Sequence, residues 1–272
     1  MRAQIPKKRM GFASYGEDFR DEADACGRLV RPILDCIGES ENLILGYVSV
    51  PAAPRTEFRI PRVILTGPKS GGDTIKLGLF ATFHGDDPEG GEALVQFIQE
   101  LTSAAECARG FHLYVYPVCN PSGFSIGTRN NHVGIDLTRE FWRGSSQNEV
   151  YYLEREIGVH GFHGVVSLHT AKNSTQFLAT CGSPIMEKSL VEPALEATRR
   201  FNSSPTEVTF EKREDIPPFF LTKTDELCPV PFEVNLGIPR GLTSSPRNQA
   251  TIAALKSLLT SYRSLMAFGQ NI

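Results

Sequence analysis

The stretch IKLGLFATFHGDDPEGGEAL, residues 75–94, decides the fold class of this chain. Its first nine residues are a nearly unbroken apolar run, the pattern of a strand buried on both faces of a sheet. The run stops at His84. Gly85, Asp86, Asp87, Pro88 and the pair Gly90 and Gly91 make a turn, and Leu94, Phe97, Ile98 and Leu101 then recur at helical spacing. A strand breaking into a helix is the unit of an α/β fold, and it puts His84 at the carboxyl end of the strand, the edge where open α/β sheets bind ligands. An imidazole and a carboxylate three residues apart on a turn can converge on one cation, and His and Asp are ordinary zinc donors. Two plainer roles fit the same residues. Asp86 or Asp87 favours the first turn of the helix, and His84 serves as a partly buried histidine bonded to backbone.

The same alternation runs through the chain. A first helix is expected over residues 17–37, with Phe19, Ala23, Cys26, Leu29, Val30, Ile33 and Leu34 on one face; strands are expected at 43–50, 62–67, 75–83 and 111–118. Further strands at 164–170, 175–182 and 229–237 flank a helix over about 186–201, and TIAALKSLLTSYRSLMAF closes the chain as a helix. No repeat, low-complexity linker or shift of composition marks a boundary. One domain over residues 1–272 is the simplest organisation, of α/β class with a mixed or mainly parallel sheet.

The composition is that of an ordinary globular protein, 40% hydrophobic with a net charge of -3. That balance gives no electrostatic case for nucleic acid or an anionic membrane as partner. No segment approaches a membrane span, and the basic amino terminus lacks the apolar core of a secretory signal. A cytoplasmic location with six reduced cysteines is the expectation.

GVVSLHT, residues 164–170, repeats the logic of the first stretch: an apolar strand delivers His169 at its end. Two histidines at the carboxyl ends of two strands can face one crevice. His112, His132, His160 and His163 are more cheaply explained as surface or packing residues. Between the two histidine strands lies CNPSGFSIGTRNNHVGIDLTREFW, residues 119–142, long enough to suggest function. Asn120-Pro121-Ser122-Gly123 is a turn signal, and Arg129 and Arg139 are fixed charges able to grip a carboxylate or steady an oxyanion. Both arginines could equally pair with surface acids such as Glu140.

Taken together, HGDDPEGG, then NPSGFSIGTRNNHVGIDLTREF, then LHT resemble in order and spacing the zinc carboxypeptidase superfamily, including its murein-peptide amidase, succinylglutamate desuccinylase and aspartoacylase branches. The likeness spans about residues 75 to 240. It implies a single catalytic domain, a mixed, largely parallel central sheet with helices on both faces, and hydrolysis of a peptide or amide bond in a small peptide, cell-wall peptide or acylated amino acid. On this resemblance His84, Asp87 and His169 hold zinc and leave a fourth position open. Arg129 would polarise the scissile carbonyl; Arg139, with Asn120, Thr138 and Asn235, would bind substrate.

Three positions depart from the family pattern. Asp87 stands where a glutamate is usual, and Thr138 where an asparagine precedes the second arginine. Aligning on Leu236-Gly237 puts Asn235 where the family carries its glutamate base, and an amide cannot accept that proton. Glu233 shares a strand face with position 235 and would approach from about 7 Å further back, so it is the expected base, with Glu226 a remote substitute. Without a base, the same pocket would bind and not turn over.

Overall fold

A computed structural model describes residues 25–38, 40–51, 57–172, 174–201, 219–240 and 242–269. Within them one seven-stranded sheet is built from β1 (Leu43–Pro51), β2 (Glu57–Thr66), β3 (Ile75–Ala81), β4 (Phe111–Tyr116), β5 (Gly164–Ala171), β6 (Leu178–Cys181) and β7 (Phe232–Pro239). The strand order is β1-β2-β4-β3-β5-β7-β6. The four central strands β4, β3, β5 and β7 run parallel, while β1 with β2, β2 with β4 and β6 with β7 are antiparallel. The expected mixed α/β sheet is thus observed. The first helix is described as α1 over Ala25–Ile37, so the part expected at 17–24 lies outside the described residues.

Strand alternation divides the core. Leu77 and Leu79 of β3, Val166 and Leu168 of β5 and Val234 and Leu236 of β7 face α1, α2 (Glu89–Ser103), the helix Glu192–Thr198 and the closing helix Ser244–Gly269. Phe80, Tyr116 and Val165 face the other way, against α4 (Asn148–His160) and the segment carrying Phe220, Leu221 and Leu227. The closing helix begins seven residues earlier than its apolar periodicity suggests, because SSPRNQA continues the helix with polar side chains. No described helix is long and apolar enough to cross a membrane. All six cysteines are described, and none is in a disulfide.

The chain leaves β3 through α2 to β4 on one side, then returns through α4 to β5 on the other. The strand order therefore reverses between β3 and β5, and a crevice opens there at the carboxyl ends. His84 follows β3, and His169 lies near the end of β5. β3 is two residues shorter than its apolar run suggests, because Thr82 adopts φ +53°. That conformation is costly for a β-branched residue and turns the chain out of the sheet just before the histidine.

Away from the crevice, Glu156 of α4 accepts hydrogen bonds from the Tyr116 hydroxyl at 2.6 Å and from Arg62 Nη1 at 3.0 and 3.2 Å, and its Oε2 lies 3.3 Å from His160 Nε2. Burial pushes this carboxyl up, but His160, Tyr116 and Arg62 together hold it at about 2. Because the folded value lies below the unfolded one, the stabilisation is present above about pH 4.5 and lost as pH falls toward 2. Glu156→Gln is expected to cost about 2 kcal/mol at pH 7 after solvent screening is allowed for, and distinctly less at pH 3, as read from urea unfolding of both proteins at the two pH values.

Candidate active site

His84 and Asp87 are buried in the turn between β3 and α2. His84 Nδ1 stands 3.3 Å from Asp87 Oδ2, and its Nε2 stands 3.3 Å from Asp136 Oδ1. Asp136 is the hub of the 119–142 segment: its side chain also accepts from the Thr138 hydroxyl at 2.7 Å, from the Thr138 amide at 3.2 Å and from Arg129 at 3.4 Å, with Arg139 Nε at 3.7 Å. Burial alone would lower the His84 pKa, but Asp136 and Asp87 outweigh it and the net direction is up. Burial tends to raise Asp136; hydrogen bonds from His84 and Thr138, with the nearby charges, carry it well below the usual carboxylate range.

His169 lies with its ring centre 6.3 Å from that of His84. Phe83 stacks on it at 5.8 Å, and Phe220 meets its edge at 5.9 Å. Burial first, then the positive charges of His84 and Arg129, push it down to about 3, so the ring is neutral at ordinary pH. Its Nε2 lies 2.9 Å from Ser167 Oγ, which in turn lies 2.5 Å from Asn235 Oδ1.

Two loops interlock to hold this arrangement. The Asn120 side chain caps α3 (Pro121–Ile126) by accepting from the Gly123 amide at 2.9 Å, and its amide donates to the Phe83 carbonyl at 3.1 Å and the Arg129 carbonyl at 3.4 Å. Pro121 at the start of α3 and Gly127 at φ +67° after it complete a well-signalled short helix. Ser122 is tied to buried Glu149 at 2.9 Å.

The structure brings together His84, Asp87, His169 and Arg129, with Arg139 more exposed at the rim. It does not bring the remaining residues where the sequence suggested. Asn120 is fully buried and occupied by its own loop, and Thr138 is occupied by Asp136, so both brace the site rather than face substrate. Glu226 is exposed on the segment that covers this face, with its amide on Thr224 Oγ1. Glu233 pairs in register with Val165, whereas His169 pairs with Gly237. Four residues along a strand is roughly 13 Å. Both Glu233 oxygens are taken: Oε1 by the amides of Phe220 and Leu221 at 3.2 and 3.3 Å, Oε2 by the Thr222 amide and hydroxyl at 3.0 and 2.8 Å. It anchors the covering segment and departs from the role of base. Glu233→Gln is expected to cost about 1–3 kcal/mol, because an amide NH2 would then face backbone donors, and to leave metal affinity within about twofold. Calorimetric titration beside denaturant unfolding checks both.

Asp136, Ser167 and Lys172 were missed by sequence reasoning. The aspartate within GIDLTREF was a visible signal; Lys172, whose ammonium lies 2.8 Å from Asp86 and 3.2 Å from Asp87 Oδ1, was not. Arg240 adds a second cation 3.5 Å from Asp87 Oδ1.

The donor set suits a zinc ion in part. Ligands at opposite ends of one edge of a tetrahedron with bonds of 2.0–2.1 Å are about 3.3 Å apart, which matches the His84–Asp87 separation. Asp87 Oδ1 is buried and accepts no hydrogen bond of good geometry, but Lys172 at 3.2 Å and Arg240 at 3.5 Å already balance its charge, so a cation would share this carboxylate with them. Asp136 behind His84 is the supporting carboxylate that metal-binding histidines carry. Among the described residues, however, no three His, Cys, Asp or Glu side chains form a closed metal-ligand group. Chemistry and spacing fit at His84 and Asp87, while the His169 ring stands wider.

Comparison with known proteins identifies the family and the fold. The model of the succinylglutamate desuccinylase/aspartoacylase catalytic domain matches residues 73–262. The chain belongs to this family. The match begins just before β3 and so takes in both histidine strands, the 119–142 segment and β7. Among solved structures, a metallo-carboxypeptidase from Burkholderia cenocepacia has a TM-score of 0.67 at 14% identity, over 85% of this chain and 68% of its own. A Pseudomonas aeruginosa metallo-carboxypeptidase, solved in complex with (2-guanidinoethylmercapto)succinic acid, has a TM-score of 0.63 at 18% identity over 88% and 69%. The ectoine utilization protein EutE (DoeB) from Ruegeria pomeroyi, solved with product bound, has a TM-score of 0.57 at 19% identity over 81% and 67%. These likenesses show the fold. Carboxypeptidase SOL1 from Arabidopsis thaliana is 37% identical over 65 residues, which is 21% of this chain and only 13% of that protein. Membership of the desuccinylase/aspartoacylase family indicates a hydrolase.

Proposed function

We propose that the protein is a zinc-dependent hydrolase that cleaves a peptide or amide bond in a small anionic substrate, a peptide end or an acylated amino acid. The observation that carries the reading is His84, set between Asp87 on one ring nitrogen and Asp136 on the other, both at 3.3 Å. His84, Asp87 and His169 would hold the metal, which when bound supplies Lewis acidity toward a substrate carbonyl. The chain's own residues do the rest. Arg129 would meet the carbonyl oxygen and Arg139 an anionic group, since both guanidiniums reach the crevice while leaning on Asp136. Phe83, Phe141 and Phe220 pack as an apolar wall beside His169 and exclude water there. The family's name and the succinic-acid derivative held by the Pseudomonas aeruginosa neighbour support a small acidic substrate. A cytoplasmic setting is part of the proposal.

A second reading rests on β7. At the level of Ser167 this strand offers Asn235, which cannot take a proton, and Glu233 is committed elsewhere. That favours a site that binds metal and ligand with little turnover.

Purified protein stripped with a chelator and titrated calorimetrically with zinc is expected to bind one equivalent. It is then expected to hydrolyse a member of a panel of N-acetyl and N-succinyl acidic amino acids and short peptides, with activity lost on chelation and restored by zinc. One equivalent of zinc with no hydrolysis supports the second reading. Absence of zinc binding overturns both.

A further inference from the structure

The same β7 position explains itself in another way. Ser167 and His169 lie two apart on β5 and so share a face, and Asn235 is the register partner of Ser167 on β7. All three side chains are buried, at 0%, 4% and 0% exposed for Ser167, His169 and Asn235. We propose that Asn235 is a positioning residue: through Ser167 it fixes the tautomer of His169, leaving Nδ1 as the nitrogen with a free lone pair.

The polarity of the relay follows from the hydrogen-bonding capacity of each group. The Asn235 Oδ1 atom has no proton to give, so across 2.5 Å the single Ser167 proton points to it. Ser167 Oγ then has only lone pairs to offer His169 Nε2 at 2.9 Å, so Nε2 must carry the ring proton. A neutral imidazole holds one such proton, and Nδ1 is bare. Reversing the relay, with the asparagine amide nitrogen toward Ser167, would send the serine proton to Nε2 and move the ring proton to Nδ1, where it would block coordination of a cation. Phe83 stacks on the ring and Phe220 meets its edge, and in this orientation Nε2 is the nitrogen that reaches Ser167. An asparagine at 235 thus holds a metal-competent histidine without burying a third carboxylate beside Asp87 and Asp136. The consequence for metal rests on the proposed function; the tautomer itself does not.

The test is long-range 15N–1H correlation of histidine-labelled protein without metal at neutral pH, with His169 assigned by its absence from His169→Gln. The wild type is expected to show Nε2–H. Asn235→Asp keeps the acceptor and should keep that signature. Asn235→Leu frees the serine proton to turn toward Nε2, so the ring should shift to Nδ1–H and zinc affinity should fall about 10–100-fold. Should Asn235→Leu fail to fold, Ser167→Ala removes the same link and should give a mixture of tautomers. A wild-type ring protonated on Nδ1, or a tautomer unchanged in whichever of Asn235→Leu and Ser167→Ala folds, overturns the relay. The predicted tautomer series with no zinc binding leaves the relay standing and removes the metal from the proposed function.

Discussion

His84→Ala is expected to lower zinc affinity by more than about 100-fold, above the range seen when only a supporting group is removed, and to reduce any hydrolysis to background. The variant deletes the proposed ligand, whose two nitrogens sit between Asp87 and Asp136. It should still fold. Asp136 keeps Thr138, Arg129 and Arg139, and Asp87 keeps Lys172 and Arg240, so neither carboxylate is left as an isolated buried charge. Circular dichroism unfolding beside calorimetric titration separates loss of the ligand from loss of the fold. Full zinc affinity in a folded His84→Ala protein would remove His84 from the ligand set.

Gly85→Ala is expected to do more damage with one methyl group. A Cβ at position 85 would lie 2.0 Å from the Gly123 carbonyl carbon, 2.3 Å from the Phe124 nitrogen and 2.4 Å from the Gly123 oxygen. These are backbone atoms at the start of α3, so no rotamer change relieves the clash. The turn at 84–88 and the 119–142 segment must separate, breaking the hydrogen bond that the Gly85 amide donates to the Arg129 carbonyl and the Asn120 clasp on Phe83. Overpacking of this kind costs typically 1–3 kcal/mol, and a clash with fixed backbone belongs at or above about 3 kcal/mol. Activity should vanish with it, because Asp136 would be carried away from His84. Denaturant unfolding reads the stability. A loss below about 1 kcal/mol would mean that the two loops do not pack in this way.

The architecture was legible because it is written locally. Apolar runs at 75–83 and 164–170 become adjacent parallel strands, and the histidines that end them meet at the point where strand order reverses. The cap of α3 was legible too: Asn120-Pro121-Ser122-Gly123 signals an asparagine bonding to the amide of Gly123, which already says that its side chain is committed. Glu233 was not legible. Its partners are amides of residues 220–222, and nothing in FEVNLG shows that a segment a dozen residues earlier folds over that face. The pairing of Lys172 and Arg240 with Asp87 is likewise long-range, set by where β5 and β7 end relative to the turn. Strand patterning says which face a side chain is on and leaves open which backbone comes to meet it.

Asp136 turns its two oxygens to two different clients. Oδ1 faces His84 and Thr138, and Oδ2 faces the guanidiniums of Arg129 and Arg139. An anionic ligand that draws the arginines toward itself leaves more of the carboxylate's charge for the histidine, which then becomes a better donor to a cation. Thermodynamic linkage would make such an effect mutual, so a cation held by His84 would alter the affinity of the two arginines for the anion by the same factor. A single carboxylate thereby touches both halves of the crevice.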